Sequence, residues 1–130
     1  MLAQNFKTSA ALGISDQEFD ALVKVLGMLE RGELLDSPEH NPIASNFGFC
    51  IGCQYKNHNC GTLACIGGWV AILTNHRLGP FEYVNSYMWS GGLHELYWKY
   101  PRGAKATHAA IALRNFLTCG EPRWEEALNT

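Results

Sequence analysis

The feature that most constrains the fold is an almost wholly apolar run over residues 63–73, LACIGGWVAIL, which follows a cysteine-rich stretch. Eleven residues are far too few to span a bilayer, so the run indicates a buried core segment. Thr62 precedes it and is a favourable N-cap residue, which predicts a buried helix over residues 63–73. Gly67 and Gly68 interrupt this helix at a cost of about 1 kcal/mol each relative to alanine. We therefore expect another helix or a ligand to approach closely at these glycines.

A second helix is predicted before the apolar run. Ser15 and Glu18 have the spacing of a capping box, and apolar residues then recur at helical intervals until Gly32, the expected stop. Residues 1–13 show no such period, and we expect them to form a flexible N-terminal arm.

Further elements are predicted after the apolar run. The brief alternation over residues 81–85 favours a short strand. Residues 93–100 place apolar side chains on one helical face, which Pro101 ends. Thr107 is the expected cap of another helix, which closes at Gly120, and a last short helix is expected near the C-terminus.

These elements together predict a mainly α fold. The apolar fraction of 47% and the aromatic fraction of 12% are sufficient for one packed interior in a chain of 130 residues. We expect residues 14–130 to form a single small domain of four to five helices around a buried central helix, with room for one short β-hairpin.

Charge and cysteine content restrict the environment of the protein. The formal net charge is −2 and no basic tract occurs, so we expect neither nucleic acid nor a membrane as a partner. No apolar core of signal-peptide length appears near the N-terminus. The five cysteines, an odd number, suit a reducing compartment, where all can remain thiols or bind a metal. These observations predict a cytoplasmic protein.

Three segments carry a resemblance to a known group of proteins: CGTLACIGGW, LYWKYP and the ending FLTCGEPRW. They resemble a widespread family of short bacterial and phage proteins with the motif C-G-T-x-x-C-x-x-G-W, an aromatic-Pro segment and a Gly-x-Pro-x-Trp ending. The resemblance covers residues 15–125 and implies no particular activity. Its motif corresponds to Cys60, Gly61, Thr62, Cys65, Gly68 and Trp69.

The leading functional hypothesis is a small binding or accessory protein that acts through contact with a protein or a small molecule. The stretch 81–100 is rich in tyrosine and tryptophan, which are enriched at interfaces. No complete catalytic set is evident, so an enzyme is the less favoured class. The binding residues that we expect are Thr62, Trp69, Trp89, Tyr97 and Trp98.

A zinc-binding module is the first alternative. Cys50 and Cys53 have the C-x-x-C spacing of a zinc half-site, because two thiolates of a tight turn can occupy adjacent corners of a tetrahedron. The remaining ligands would come from Cys60, Cys65 or His58. Apart from zinc, no cofactor is predicted.

A cysteine-dependent hydrolase is the second alternative. Gln54 precedes Cys60 by six residues, which is similar to papain-like and bacteriocin-processing peptidases, where a glutamine donates to the oxyanion and the cysteine attacks from a helix N-terminus. His94 is the base that we name for this scheme, and the other downstream histidines are His76 and His108. No aspartate follows Asp36, so Asn115 or Glu95 would have to orient the base.

Overall fold

The computed structural model describes residues 5–36, 47–49, 56–58, 61–74, 79–101 and 104–129. The helices within these ranges are α1 (Ser9–Leu12), α2 (Asp16–Glu30), α3 (Ile66–Thr74), α4 (Gly79–Asn85), α5 (His94–Trp98), α6 (Ala106–Cys119) and α7 (Trp124–Leu128). The strands are β1 (Leu35–Asp36), β2 (Phe47–Phe49), β3 (Lys56–His58) and β4 (Gly61–Ala64). The mainly α prediction is confirmed. The described residues hold seven helices rather than four or five, because three of them have only four or five residues.

Helix α3 is the buried centre of the fold, as predicted. Its residues from Ile66 to Ala71 are all buried, and it packs against both α2 and α4. Gly67 makes the contact with α4 possible: a β-carbon built on it would stand 2.8 Å from Val84 Cγ2 and 3.1 Å from Tyr97 Cδ2. Close approach of neighbouring helices therefore explains this glycine, as the sequence predicted.

The predicted start of α3 is wrong. Thr62 is not an N-cap, because the backbone from Gly61 to Ala64 is extended and pairs on both sides as strand β4. The helix begins at Ile66, directly after the buried Cys65. The Cys65 sulfur accepts a hydrogen bond from the backbone N–H of Gly68 at 3.5 Å, and so occupies the place of a capping side chain.

The four strands form one small sheet in the order β1-β2-β4-β3. Strands β1 and β2 are parallel, as are β2 and β4, whereas β3 and β4 form an antiparallel hairpin in which Asn57 is opposite Thr62. The sheet thus contains a hairpin, although the alternating residues 81–85 do not contribute to it.

Those residues belong to α4, so the strand predicted there is wrong. The apparent alternation has a helical cause: Tyr83 and Val84 are buried, and Tyr87 lies one helical turn after Tyr83. The backbone N–H of Ser86 donates to the carbonyl of Glu82 at 3.0 Å, which continues the helical pattern at the end of α4.

The N-terminal segment is not a loose arm over residues 5–13. It contains α1, capped by Thr8, whose side chain accepts from the N–H of Ala11. Leu12 is buried in the core, and the N–H of Lys7 donates to the carbonyl of Leu117 at 2.7 Å. Burial and backbone pairing attach these residues to the domain despite their lack of helical periodicity; residues 1–4 lie outside the described ranges.

Helix α2 confirms the capping-box prediction. The N–H of Ser15 donates to Glu18 Oε1 at 3.0 Å, and the N–H of Glu18 donates to Ser15 Oγ at 3.1 Å. Gly32 has the left-handed φ of 74° that ends such a helix.

Among the described residues, no helix combines the length and the apolar composition that a bilayer span requires.

Helix α6 begins earlier than predicted. Lys105 is its N-cap residue and Ala106 its first residue, so Thr107 lies inside the first turn and the prediction that it caps the helix is wrong. The side chain of His108 reaches back to the helix start, where its Nδ1 accepts from the backbone N–H of Lys105 at 3.0 Å. Gly120 closes the helix with a φ of 85°, as predicted, and α7 is the expected last short helix.

Candidate functional site

Glu18 joins the start of α2 to three tyrosines, and we call these four residues the tyrosine cluster. Glu18 Oε2 accepts hydrogen bonds from the hydroxyls of Tyr83 at 2.6 Å and Tyr87 at 2.8 Å. The hydroxyl of Tyr97 lies 2.8 Å from that of Tyr83. Because the Tyr83 proton is directed to Glu18, Tyr97 is the donor in this second bond. The Glu18 carboxylate therefore binds two tyrosine hydroxyls directly and the third through Tyr83.

The three rings of the tyrosine cluster also contact one another. Tyr83 comes from α4, Tyr87 from the turn after α4 and Tyr97 from α5, and their ring centroids lie 5.6–5.8 Å apart in edge-to-face arrangements. Such pairs add about 0.5–1.5 kcal/mol each beyond the area that they bury. The cluster thus fixes α4 and α5 against the start of α2.

The environment sets the protonation of these groups. Burial raises the pKa of Glu18, but hydrogen bonds from the Ser15 backbone, Tyr83 and Tyr87 outweigh this and leave the pKa below its ordinary range. Burial raises the pKa values of Tyr83, Tyr87 and Tyr97 far above the ordinary range of a phenol. At neutral pH the cluster consequently consists of one carboxylate and three neutral tyrosines.

A groove runs from this cluster along α2, and we call it the α2 groove. It consists of three adjoining clefts of about 290, 230 and 380 Å³. The first and second share Gln17 and Thr74, and the second and third share Lys24 and Leu73. The groove therefore follows the length of α2, with the end of α3 as its other wall.

The chemistry of the α2 groove changes from one end to the other. Every residue that lines the first cleft carries a hydroxyl, amide or carboxylate group: Ser15, Glu18, Thr74, Tyr83, Ser86 and Tyr87, together with the shared Gln17. The third cleft is more apolar, with Val23, Met28 and Leu73 beside an ion pair between Arg31 and Glu33. Asp20 and Lys24 lie between them, and neither belongs to an ion pair within the part of the chain that the structure describes.

No protein-family model matches the chain, and no curated protein or solved structure matches it significantly. Functional inference for this chain therefore rests on its own residues.

A separate cleft of about 440 Å³, which we call the C-terminal cleft, lies between α5 and the C-terminal segment. Its lining carries charges of both signs, from Glu95, Lys99, Glu121, Arg123 and their neighbours. The Trp124 indole N–H donates to the carbonyl of Glu95 at 3.2 Å and holds α7 against α5. The C-terminal cleft has a larger volume than any single cleft of the α2 groove, but the charged side chains that line it are exposed.

The structure separates the predicted binding residues. Trp69 and Tyr97 are core residues with exposures of 2% and 4%, so the prediction that they form a binding surface is wrong. Trp98 is half-buried and its indole N–H donates to the carbonyl of Val84 at 2.8 Å. Trp89, in the turn between α4 and α5, is 86% exposed and remains available to a partner. Thr62 lies in β4.

Most of the predicted zinc ligands lie outside the described residues, namely Cys50, Cys53 and Cys60. His58 is the last residue of β3, and Cys65 is buried before α3. Within the described ranges no three side chains of His, Cys, Asp or Glu come together as a metal site would require. Zinc binding by the cysteine-rich stretch stays a prediction.

The hydrolase hypothesis loses one of its structural premises. Gln54 and Cys60 lie outside the described residues, but β4 begins directly after Cys60 and the next helix starts only at Ile66. The residues directly after Cys60 therefore form no helix, and the helix start predicted there is wrong. The catalytic roles of these residues stay predictions.

The predicted base and its orienting groups have structural partners. His94 Nδ1 lies 2.8 Å from the carbonyl of Tyr87 and donates to it, which leaves Nε2 as the acceptor of the neutral ring. His108 caps α6, as described above. Asn115 donates to the carbonyl of Pro122 at 3.0 Å, and Glu95 is exposed. His76 lies outside the described residues.

Sequence reasoning missed the tyrosine cluster. Glu18 is 65 residues before Tyr83 and 69 before Tyr87, so no local pattern joins them. One signal was present in the sequence: Tyr83 and Tyr87 have the i, i+4 spacing of one helical face. The expectation of a strand over residues 81–85 concealed that spacing.

Proposed function

We propose that this chain is a small binding protein that takes a polypeptide segment of a partner protein into the α2 groove. The observation that carries the proposal is the continuity of three clefts along one fifteen-residue helix. At about 1.5 Å per residue, α2 is roughly 22 Å long. That length suits about four turns of a bound helix or six to seven extended residues. A small molecule would fill one of the clefts and leave the others to water.

The floor of the groove supports close approach of a polypeptide. Ala21 lines the second cleft and Gly27 lines the third, so two positions of α2 in the groove have small side chains or none. Val23, Met28 and Leu73 supply apolar surface, and Leu73 is 37% exposed. Helix-in-groove recognition uses this combination of a narrow floor and apolar walls.

The charged residues along the groove favour one orientation of the bound segment. Glu18 and Asp20 lie toward the first end of the groove, whereas Lys24 and Arg31 lie toward the second. A segment with a cationic residue near Glu18 and an acidic residue near Lys24 is complementary to this order. Trp89 follows Tyr87 by two residues and adds an exposed aromatic side chain of the type enriched in interface hot spots.

The remaining expectations on function are compatible with this proposal. A protein that binds a peptide requires no catalytic set, and the net charge of −2 suits contact with proteins rather than with nucleic acid. We propose that it acts as an accessory protein in the cytoplasm.

Selection of random twelve-residue peptides displayed on phage, followed by fluorescence anisotropy with each selected peptide, tests the proposal. Leu73→Asp and Lys24→Glu should weaken binding of a selected peptide at least tenfold, because they place a charge in the apolar part of the groove and reverse its basic side. Lys99→Glu is the matched control, since Lys99 is an exposed lysine of the C-terminal cleft, outside the α2 groove. Peptides that bind all four proteins equally, or a selection without specific binders, would refute peptide binding in this groove.

A further inference from the structure

We propose that the polar end of the α2 groove is a binding site for a primary ammonium group, such as the one a lysine side chain carries. The site is the first cleft, of about 290 Å³, beside the tyrosine cluster. This inference deepens the proposed function and depends on it only for the source of the ammonium group, a lysine of the bound segment.

Four of the five hydroxyl groups that line this cleft, all except that of Ser15, already donate their protons within the protein. The Tyr87 hydroxyl donates to Glu18 Oε2 at 2.8 Å, and the Ser86 hydroxyl donates to the carbonyl of Tyr83 at 2.6 Å. The Thr74 hydroxyl donates to the carbonyl of Val70 at 2.8 Å. A hydroxyl has one proton and two acceptor lone pairs, so each of these three oxygens can only accept a further hydrogen bond.

The cleft consequently has more acceptors than donors. Its donors are the side-chain amide of Gln17 and the hydroxyl of Ser15, whose oxygen already accepts from the N–H of Glu18. The three hydroxyl oxygens that already donate, and the Glu18 carboxylate, can accept further hydrogen bonds only from a ligand, from water or from these few donors. A primary ammonium has three N–H donors and no acceptor, which matches this excess.

The charge of the cleft favours the same ligand. Among the residues that the structure describes, Glu18 is the one carboxyl group that lines the cleft, and no lysine, arginine or histidine lines it. Lys24, a cation of the same groove, lines the second cleft and is six residues along α2, about 9 Å from Glu18 along the helix axis. Within the described ranges the half-buried negative charge thus has hydrogen bonds but no counter-ion in its own cleft.

The geometry of Glu18 discriminates against a guanidinium group. Arginine binds a carboxylate best through two parallel hydrogen bonds, one to each oxygen. Oε2 of Glu18 already accepts two tyrosine protons, and Oε1 accepts from the N–H of Ser15. The bidentate arrangement is therefore blocked, whereas a compact ammonium can use the remaining acceptor site of Oε1 and the hydroxyl oxygens around it.

Titration with small amines tests the site without any knowledge of the partner. n-Butylamine at neutral pH is the probe, followed through the tyrosine ring resonances in NMR spectra. n-Butylguanidine and N-butylacetamide are the matched controls, because they keep the alkyl chain and change only the cationic group. We expect saturable binding of the amine, at least fivefold weaker binding of the guanidine, and no binding of the amide. Equal binding of the amine and the guanidine, or no saturable binding of the amine, would overturn the inference.

Two variants locate the binding. Glu18→Gln removes the charge and keeps a residue that capping boxes accept at this position, and it should weaken amine binding at least tenfold. Tyr87→Phe removes one acceptor oxygen with little change of shape and should weaken it about threefold, so the inference stays testable if Glu18→Gln does not fold. Glu82→Gln, an exposed carboxylate of α4 outside the groove, is the control and should bind the amine as the unmodified protein does. Amine binding that survives both Glu18→Gln and Tyr87→Phe would place it elsewhere and refute the assignment.

A peptide experiment separates this inference from the proposed function. In a peptide selected against the α2 groove, replacement of its lysine by norleucine should weaken binding at least tenfold, and arginine should restore little of the loss. If norleucine costs nothing, the ammonium site is wrong although the groove binds peptides. If butylamine binds through Glu18 but no peptide binds, the ammonium site stands and the proposed function fails.

Discussion

Gly67 of α3 lies so close to Val84 of α4 that a β-carbon on the glycine would stand 2.8 Å from Val84 Cγ2. The same β-carbon would stand 3.1 Å from Tyr97 Cδ2, and both neighbours are buried. Because the neighbouring side chains are part of the core, they have little room to move away. The absence of a side chain at Gly67 therefore allows α4 and α5, which carry Tyr83 and Tyr97, to pack against the central helix.

Substitution of Gly67 by alanine should lower the free energy of unfolding by up to about 2 kcal/mol. Overpacking of a core costs about 1–3 kcal/mol, and the better helix propensity of alanine returns about 1 kcal/mol of it. Chemical denaturation followed by far-ultraviolet circular dichroism measures the change.

Gly27→Ala is the matched control for this substitution. Gly27 is also inside a helix, but its added β-carbon would meet only the end of the Arg31 side chain, which is 62% exposed and can swing away. We expect this variant to be unchanged or more stable by up to about 1 kcal/mol. A Gly67→Ala variant as stable as Gly27→Ala would contradict the close packing of α3 and α4.

Acid should weaken the fold through Glu18. Its pKa is lower in the folded protein than in the unfolded chain, so its contribution to stability is complete above the unfolded value of about 4.3 and is lost as the pH falls through the folded value. Glu18→Gln should be less stable than the unmodified protein at neutral pH by about 1–2 kcal/mol, and the difference should shrink as the pH falls. Urea denaturation at a series of pH values measures both effects.

Glu82→Gln serves as the control for the acid experiment. Glu82 is exposed on α4 and forms no hydrogen bond to the tyrosine cluster. Its stability curve should follow that of the unmodified protein. A difference between Glu18→Gln and the unmodified protein that stays constant down to the acid limit would show that Glu18 stabilises by shape rather than by charge.

Alkali should reveal the same cluster through its tyrosines. Burial raises the pKa values of Tyr83, Tyr87 and Tyr97, so the stability they contribute is complete below the ordinary phenol value of about 10 and is lost as the pH rises above it. At least three of the five tyrosines should therefore ionise only as the helices unfold.

Phenolate absorbance and circular dichroism, recorded together during an alkaline titration, test this expectation. The two signals should change in the same pH range for these three residues. Ionisation of three or more tyrosines near pH 10, with the helical signal intact, would contradict burial of the cluster.

The elements that sequence reasoning predicted well are those with local signals. The capping box of Ser15 and Glu18, the stops at Gly32 and Gly120, and the buried centre around Gly67 all follow from neighbouring residues and appear in the structure. The prediction that Thr62 caps a helix also used a local signal, because threonine is a favourable cap residue. It was wrong because β-sheet pairing on both sides keeps the backbone of Thr62 extended. Local propensity is a weak prior, and strand pairing with residues distant in the chain overrode it.

The sequence by itself determined that this chain folds around one short apolar helix and that a glycine on that helix must meet a close neighbour, because periodicity, caps and propensities are properties of adjacent residues. Only the tertiary structure decided which side chains face one another. The cluster of Glu18 with Tyr83, Tyr87 and Tyr97 and the α2 groove beside it depend on the packing of α2, α3, α4 and α5. Contacts between residues more than sixty positions apart leave no local pattern, and the same packing that created the cluster buried Tyr97, which was expected in a binding surface.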